Sequence, residues 1–142
     1  MRFATAAILG LAFAANGVFM LAVPRLWYGT VPGVADTGPF NPHFVRDIGC
    51  AYVVAGGALL GFALDIRFRA AALAGAAFLA LHAALHVWDA AAGRESLDHL
   101  VGDLLPVFIA PALALWLVWP RSRKNEEMDY AQMVDRTADR RL

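Results

Sequence analysis

Two histidines stand four residues apart in LHAALHVWD, residues 81–89, and HLVGD at 99–103 repeats the spacing with His99 and Asp103. His43 and Asp47 repeat it a third time. Residues four apart share one face of a helix. Three short stretches therefore each offer an imidazole with a second ligand-type group one turn away. Imidazole with carboxylate suits zinc, copper(II) or iron. Cys50 is the one cysteine and reads as a small packing residue, so no thiolate points to Cu(I). His82 and His86 would supply two nitrogens to one transition-metal ion, and His99 or Asp103 a third ligand. Asp47 and His43 would add a fourth ligand, a second ion, or hydrogen bonds that orient the ligands. Arg46 would balance a carboxylate or bind an anionic substrate group, and Asn16 belongs to the same layer. Other chemistries use these same side chains. Two histidines on facing helices can ligate haem axially. His and Asp in a membrane cavity can relay protons for a lipid-soluble substrate or quinone. A purely structural network is the fourth reading, with Arg46 paired to Asp47 or Asp103 and the histidines bonded to carbonyls and Asn16.

The elements that carry these residues are unusually apolar. The chain is 60% hydrophobic and 17% charged over 142 residues, against about 45–50% and about 25% for an ordinary soluble domain. The excess lies in four blocks: 3–23, 48–64 (extended back to 44 if its charges are tolerated), 70–88, and 104–119 (extended back to 99 across Asp103). A bilayer core of about 30 Å needs roughly 20 helical residues. The composition predicts an all-α bundle of four membrane-spanning helices over 1–119, with a polar tail over 120–142. The first block is longer than a usual signal-peptide core and lacks a small-x-small site before Pro24, so it reads as a retained span. A net charge of zero gives no pointer to nucleic acid.

Arg2, Arg67, Arg69, Arg121, Arg123 and Lys124 gather at one end of the spans, which places both termini on the cytoplasmic side of the cell inner membrane. All four histidines then fall in the outer half, with Asp47, Asp89, Asp103 and Asn16, the last roughly 10 Å inside its helix end. Each polar stripe is expected to turn inward, because lipid penalises it. Pro24 and Pro120 end the first and fourth spans. Asn41-Pro42 reads as a cap followed by proline at the first helical position, and Ser96 as the cap of the last helix. Gly57 and Gly61 form a GxxxG that predicts close packing of the second span, and the alanines around Gly75 do the same for the third. Tyr52 reads as a packing residue. Pro106, three residues after Asp103, predicts a kink and freed backbone groups beside a polar cavity. The long connection PRLWYGTVPGVADTGPFNPH runs directly into His43 and reads as a cap over the outer mouth.

A first helix ended by proline, then aromatics and glycines, then FVRDIG opening a glycine-rich second helix, resembles the DoxX-like small bacterial membrane proteins over residues 1–119. The resemblance implies a four-helix membrane protein, with some members associated with oxidoreductases or quinone chemistry. It assigns no residue a role. The leading expectation is thus a metal-binding membrane protein, redox or hydrolytic, with its site in the outer half. The alternative is a non-enzymatic accessory subunit that meets other membrane subunits through its helix faces or the 121–142 tail.

Overall fold

In a computed structural model, residues 1–94 and 97–120 are described, with Met128 and Ala131 beyond them. The Ser96 cap and the rest of the 121–142 tail lie outside the described residues. The order is α1 (Arg2–Ala22), α2 (Pro24–Thr30), a 3-10 turn (Val34–Asp36), α3 (Pro42–Leu64), a 3-10 turn (Ile66–Phe68), α4 (Arg69–Ala91), α5 (Leu97–Asp103), a π-helical segment (Leu104–Ile109) and α6 (Ala110–Val118). No strand occurs among the described residues. Arg2–Ala22, Pro42–Leu64, Ile66–Ala91 and Asp98–Val118 are each long and apolar enough to cross a membrane.

Local chemistry sets the boundaries. Pro24 cannot continue α1, so Val23 leaves helical geometry and α2 starts with proline at its first position. The Asn41 side chain accepts from the backbone N–H groups of His43 (3.1 Å) and Phe44 (3.2 Å), so α3 begins as its cap-proline pair requires. At the far end of α3, the Asp65 carboxylate accepts from the backbone N–H (2.9 Å) and Nε (2.7 Å) of Arg67. These Arg67 bonds, side chain first, hold the Asp65 carboxyl below its ordinary range. After α4, Gly93 takes a left-handed conformation (φ 71°), and Arg94 pairs back onto Asp89 (Nε–Oδ1 2.8 Å).

Pro106 does not break the fourth span. The helix widens into π geometry over Leu104–Ile109, and Ala110 N–H reaches back to the carbonyl of Leu105. A proline ring clashes with the carbonyl four residues earlier and offers no N–H. Widening accommodates both, so the disturbance expected at Pro106 takes the form of a π-helical segment directly after Asp103.

The spans run alternately up and down, and α1 on α3 is the most extensive interface, followed by α3 on α4 and α4 on α6. Gly10 and Gly17 on α1 meet Gly49 and Gly56 on α3. A Cβ at Gly56 would fall 2.4 Å from the Ala14 nitrogen, and one at Gly17 2.6 Å from the Gly49 carbonyl oxygen. The expected GxxxG is not this seam: Gly57 faces open space and Gly61 faces the Phe68 side chain. Spacing of seven residues, two helical turns, lines up Gly49 with Gly56, whereas Gly57 is rotated off that face. On the other side of α3, Gly75 of α4 packs on Ala55, as the alanine-rich composition predicts. Phe62, Leu59, Leu79 and Val118 complete the buried centre. Arg2 closes one end of the bundle, its guanidinium over the Phe62 ring (5.2 Å) and its Nε donating to the Leu117 carbonyl (2.7 Å). Outward, Ile8, Leu11, Val54, Leu81, Val101 and Leu105 remain exposed.

Candidate metal centre

The end of the bundle opposite Arg2 gathers the ends of α1 and α4 and the starts of α3 and α5. Here α4 turns His82 and His86 to one face, their rings 4.9 Å apart and edge-on. On the facing helix, His99 and Asp103 lie one turn apart. The Asp103 Oδ2 atom is 2.8 Å from His86 Nδ1 and 3.4 Å from His99 Nε2. All three side chains are only 12–15% exposed. One donor atom from each of His86, His99 and Asp103 lies within 4.8 Å of the others.

Metal bonds of about 2.0–2.1 Å in a tetrahedral arrangement place neighbouring donors roughly 3.3 Å apart. The His99–Asp103 separation already fits. The His86–Asp103 separation would open by about half an ångström, a side-chain adjustment. Two nitrogens and one oxygen leave a fourth position free, the pattern of an open rather than a closed zinc site.

His82 sits one turn deeper and borders the trio without joining it. Its ring stacks beside Phe78 (6.4 Å) and meets the edge of Tyr52 (6.0 Å). Tyr52 also packs edge-on against Phe78 (5.9 Å) and tilts against Phe13 (6.2 Å), so a ring series runs from the core to the histidines. Tyr52 reads as packing from sequence, yet its ring borders His82. The signal was a lone hydroxyl in the second apolar block, since a buried tyrosine needs somewhere to put its polar tip. On the remaining side Phe108, from the π-helical segment, faces His86 (6.5 Å).

Gly33 is a second residue at the site that ligand-type spacing does not point to. It takes a left-handed conformation (φ 80°), and a Cβ there would fall 2.2 Å from His99 Nε2. Its signal was the Pro-Gly pair at 32–33, a turn marker. The position matters for haem. Axial ligation through His99 Nε2 would require a macrocycle where Gly33 and the Asp103 carboxylate already stand.

The α3 stripe does not join the site. His43 Nε2 pairs with Asp47 Oδ2 at 3.3 Å on an open face, with side chains 87% and 59% exposed. Arg46 is exposed and its Nε reaches the Leu21 carbonyl at 3.4 Å. The reason lies in the packing of α3. Gly49 and Gly56 face α1, and Ala55 faces α4. At about 100° per residue, His43, Asp47 and Cys50 fall on the remaining outward face, and Tyr52, nine residues after His43, points the opposite way. Asn16 serves another purpose. Its Oδ1 accepts from the Trp27 indole (2.9 Å) and fastens α2 to α1.

Compared with family models, curated proteins and solved structures, the chain matches none.

Proposed function

We propose that this chain is a multi-pass protein of the cell inner membrane that holds a divalent transition-metal ion between His86, His99 and Asp103 in the outer half of its helix bundle. The observation that carries this reading is the convergence of three ligand-type atoms, from two helices, in a setting shielded from solvent. Ionisable groups at such depth in an apolar bundle are costly unless they pair or bind something. The exposed apolar belt fits lipid contact, because in water it would be an aggregation liability. Arg2, Arg67 and Arg69 at the opposite end, with the basic residues after Pro120, favour cytoplasmic termini.

Zinc, copper(II) and iron all suit two imidazoles and a carboxylate; when bound, zinc supplies a more acidic water and copper or iron an electron-transfer centre. The protein's own contribution is more definite. Asp103 faces both histidines. His82, Phe78 and Phe108 wall the site on the inner side and keep water from it. Arg46, His43, Asp47 and Asn16 stay outside the ligand set.

The test is elemental analysis with an optical spectrum on detergent-purified protein, wild type beside His86→Ala/His99→Ala. Near-stoichiometric zinc, copper or iron that disappears in the double variant is the expected result. A Soret band would replace the ion with haem. Metal retained in the double variant would remove these ligands from the proposal.

One observation favours a second reading, a non-enzymatic subunit of a larger membrane complex. His43, Arg46, Asp47 and Cys50 form an outward stripe at the start of α3 that the bundle leaves uncovered. In that case the protein purifies without metal, and charge reversal at Arg46 and Asp47 disrupts its association with partner subunits.

A further inference from the structure

The connection between α2 and α3 is a folded unit rather than a slack strand. The Tyr28 hydroxyl lies between two of its carbonyl oxygens, Gly38 at 2.5 Å and Ala35 at 3.3 Å. The Tyr28 ring packs on Phe40 (5.1 Å), which carries the Arg25 guanidinium on its face (4.7 Å). Within the unit, Asp36 N–H donates to Gly33 (3.0 Å) and the Thr37 hydroxyl to Val34 (2.8 Å). Each of these bonds ties the segment to α2 or to itself.

Its tip rests on His99. A Cβ built on Gly33 would lie 2.2, 2.3 and 2.6 Å from Nε2, Cε1 and Cδ2 of that ring, inside the space that the imidazole fills. Any side chain there would have to displace either the ring or the loop. The nitrogen under Gly33 is the one that faces Asp103 Oδ2 at 3.4 Å. Gly33 therefore lies against the His99 ring at the edge that carries this ligand-type atom.

We infer that residues 31–40 form a lid over the His86–His99–Asp103 site, that Gly33 is the contact which closes it, and that Tyr28 is its latch. The inference rests on the metal reading and adds a route to it. A divalent cation enters from the outer aqueous side when the loop lifts from His99. The latch belongs to α2, so opening needs neither α4 nor α5 to move. The lid sets how fast the ion exchanges and leaves its equilibrium affinity nearly unchanged.

The experiment uses the full chain in detergent and two readouts. The first needs no metal: carbethoxylation of each histidine by diethyl pyrocarbonate, followed by peptide mass spectrometry, with the exposed His43 as internal control. His99 is expected to react more slowly than His43 in the wild type. Tyr28→Phe keeps the ring on Phe40 and removes the hydroxyl. It should speed His99 modification about five-fold, the change in an opening equilibrium that one ordinary hydrogen bond brings, with His43 unchanged. Gly33→Ala should do the same by forcing the loop off the ring. The second readout is stopped-flow binding of Co²⁺ followed by its visible absorption. On and off rates should both rise in Tyr28→Phe, with the dissociation constant within about two-fold of wild type. Equal His99 reactivity in all three proteins overturns the lid, as do Co²⁺ rates that neither substitution alters. A protected His99 in a wild type that takes up no Co²⁺ upholds the lid and overturns the metal reading instead.

Discussion

Gly56 and Gly57 are neighbours in α3, and replacing each with alanine separates the packing seam from the rest of the helix. A Cβ at Gly56 falls 2.4 Å from the Ala14 nitrogen, 2.6 Å from the Gly10 oxygen and 2.9 Å from the Ala14 Cα. Ordinary contact begins near 3.4 Å, so α1 and α3 must part by about 1 Å. All three obstacles are backbone atoms, which no rotamer change can move. Overpacking of this kind costs about 1–3 kcal/mol, and a rigid backbone obstacle belongs in the upper half of that range. Gly57 has nothing within 4 Å of its Cβ position. There alanine brings only its better helix propensity, worth roughly 0.5–1 kcal/mol and common to both variants. The difference between the two is then about 2–3 kcal/mol, roughly a 30- to 160-fold change in the unfolding equilibrium. Reversible unfolding in mixed micelles, titrated with dodecyl sulfate and followed by tryptophan fluorescence, measures it. Gly56→Ala should unfold at clearly lower detergent fraction and Gly57→Ala at the wild-type fraction or above. Equal shifts, or a weaker Gly57→Ala, would show that the α1–α3 seam is not where the glycines of α3 are used.

Asp103→Asn should weaken Zn²⁺ binding at least ten-fold by calorimetric titration, since even residues that merely orient a ligand are worth 10–100-fold, while Asp47→Asn should leave it unchanged. His82→Ala should cost less affinity than His86→Ala, because His82 borders the trio rather than joining it; equal losses would make His82 a ligand. Trp27→Phe removes the indole bond to Asn16 and should lower stability by about 1 kcal/mol without changing metal content. At the other end, the Asp65 carboxyl is held below its ordinary range by Arg67. A depressed carboxyl stabilises the folded state above its unfolded value of about 3.9 and loses that contribution as pH falls through the lower folded value. Wild type should therefore exceed Asp65→Asn in stability near neutral pH, and the gap should close as pH falls below about 4; a gap unchanged at pH 3 removes this ion pair as its cause.

The four long helices were legible because an uncharged run of the right length has few alternatives, and their ends because proline and an Asn-Pro cap act locally. Pro24, Pro42 and Asn41 behave in the structure as their chemistry requires. The seam between α1 and α3 was not legible from the GxxxG pattern. Four glycines in two helices form it, and each pair is spaced by seven residues rather than four. Sequence pairing rules see one helix at a time, whereas a close approach is a property of two. Pro106 does disturb the helix beside Asp103. Its resolution into π geometry depends on how much room the neighbouring helices leave, which no local pattern states.

Depth explains why the polar stripes divided as they did. His43 and Asp47 lie one and five residues from the start of α3, within roughly 8 Å of the helix end. An ionisable group there can reach the headgroup region at small cost, so burial exerts little pull on which way it faces. The orientation of α3 was decided instead by Gly49, Gly56 and Ala55, whose small size permits backbone approach along their whole length. The polar residues took the face that was left. His82 is nine residues from the end of α4, roughly 13 Å, and His86 five. For His82 facing lipid would be expensive, and His86, no deeper than Asp47, shares its face one turn away; α4 has alanine on nearly every other side, so no competing seam opposes turning them inward. His99 and Asp103 then follow, because α5 is short and packs on α4. The expectation that every ionisable stripe turns inward therefore holds where depth makes exposure costly and fails where small residues on another face outweigh it. The same weighing singles out Tyr52: it lies deeper than Asp47 and opposite the exposed stripe, on the face that meets His82.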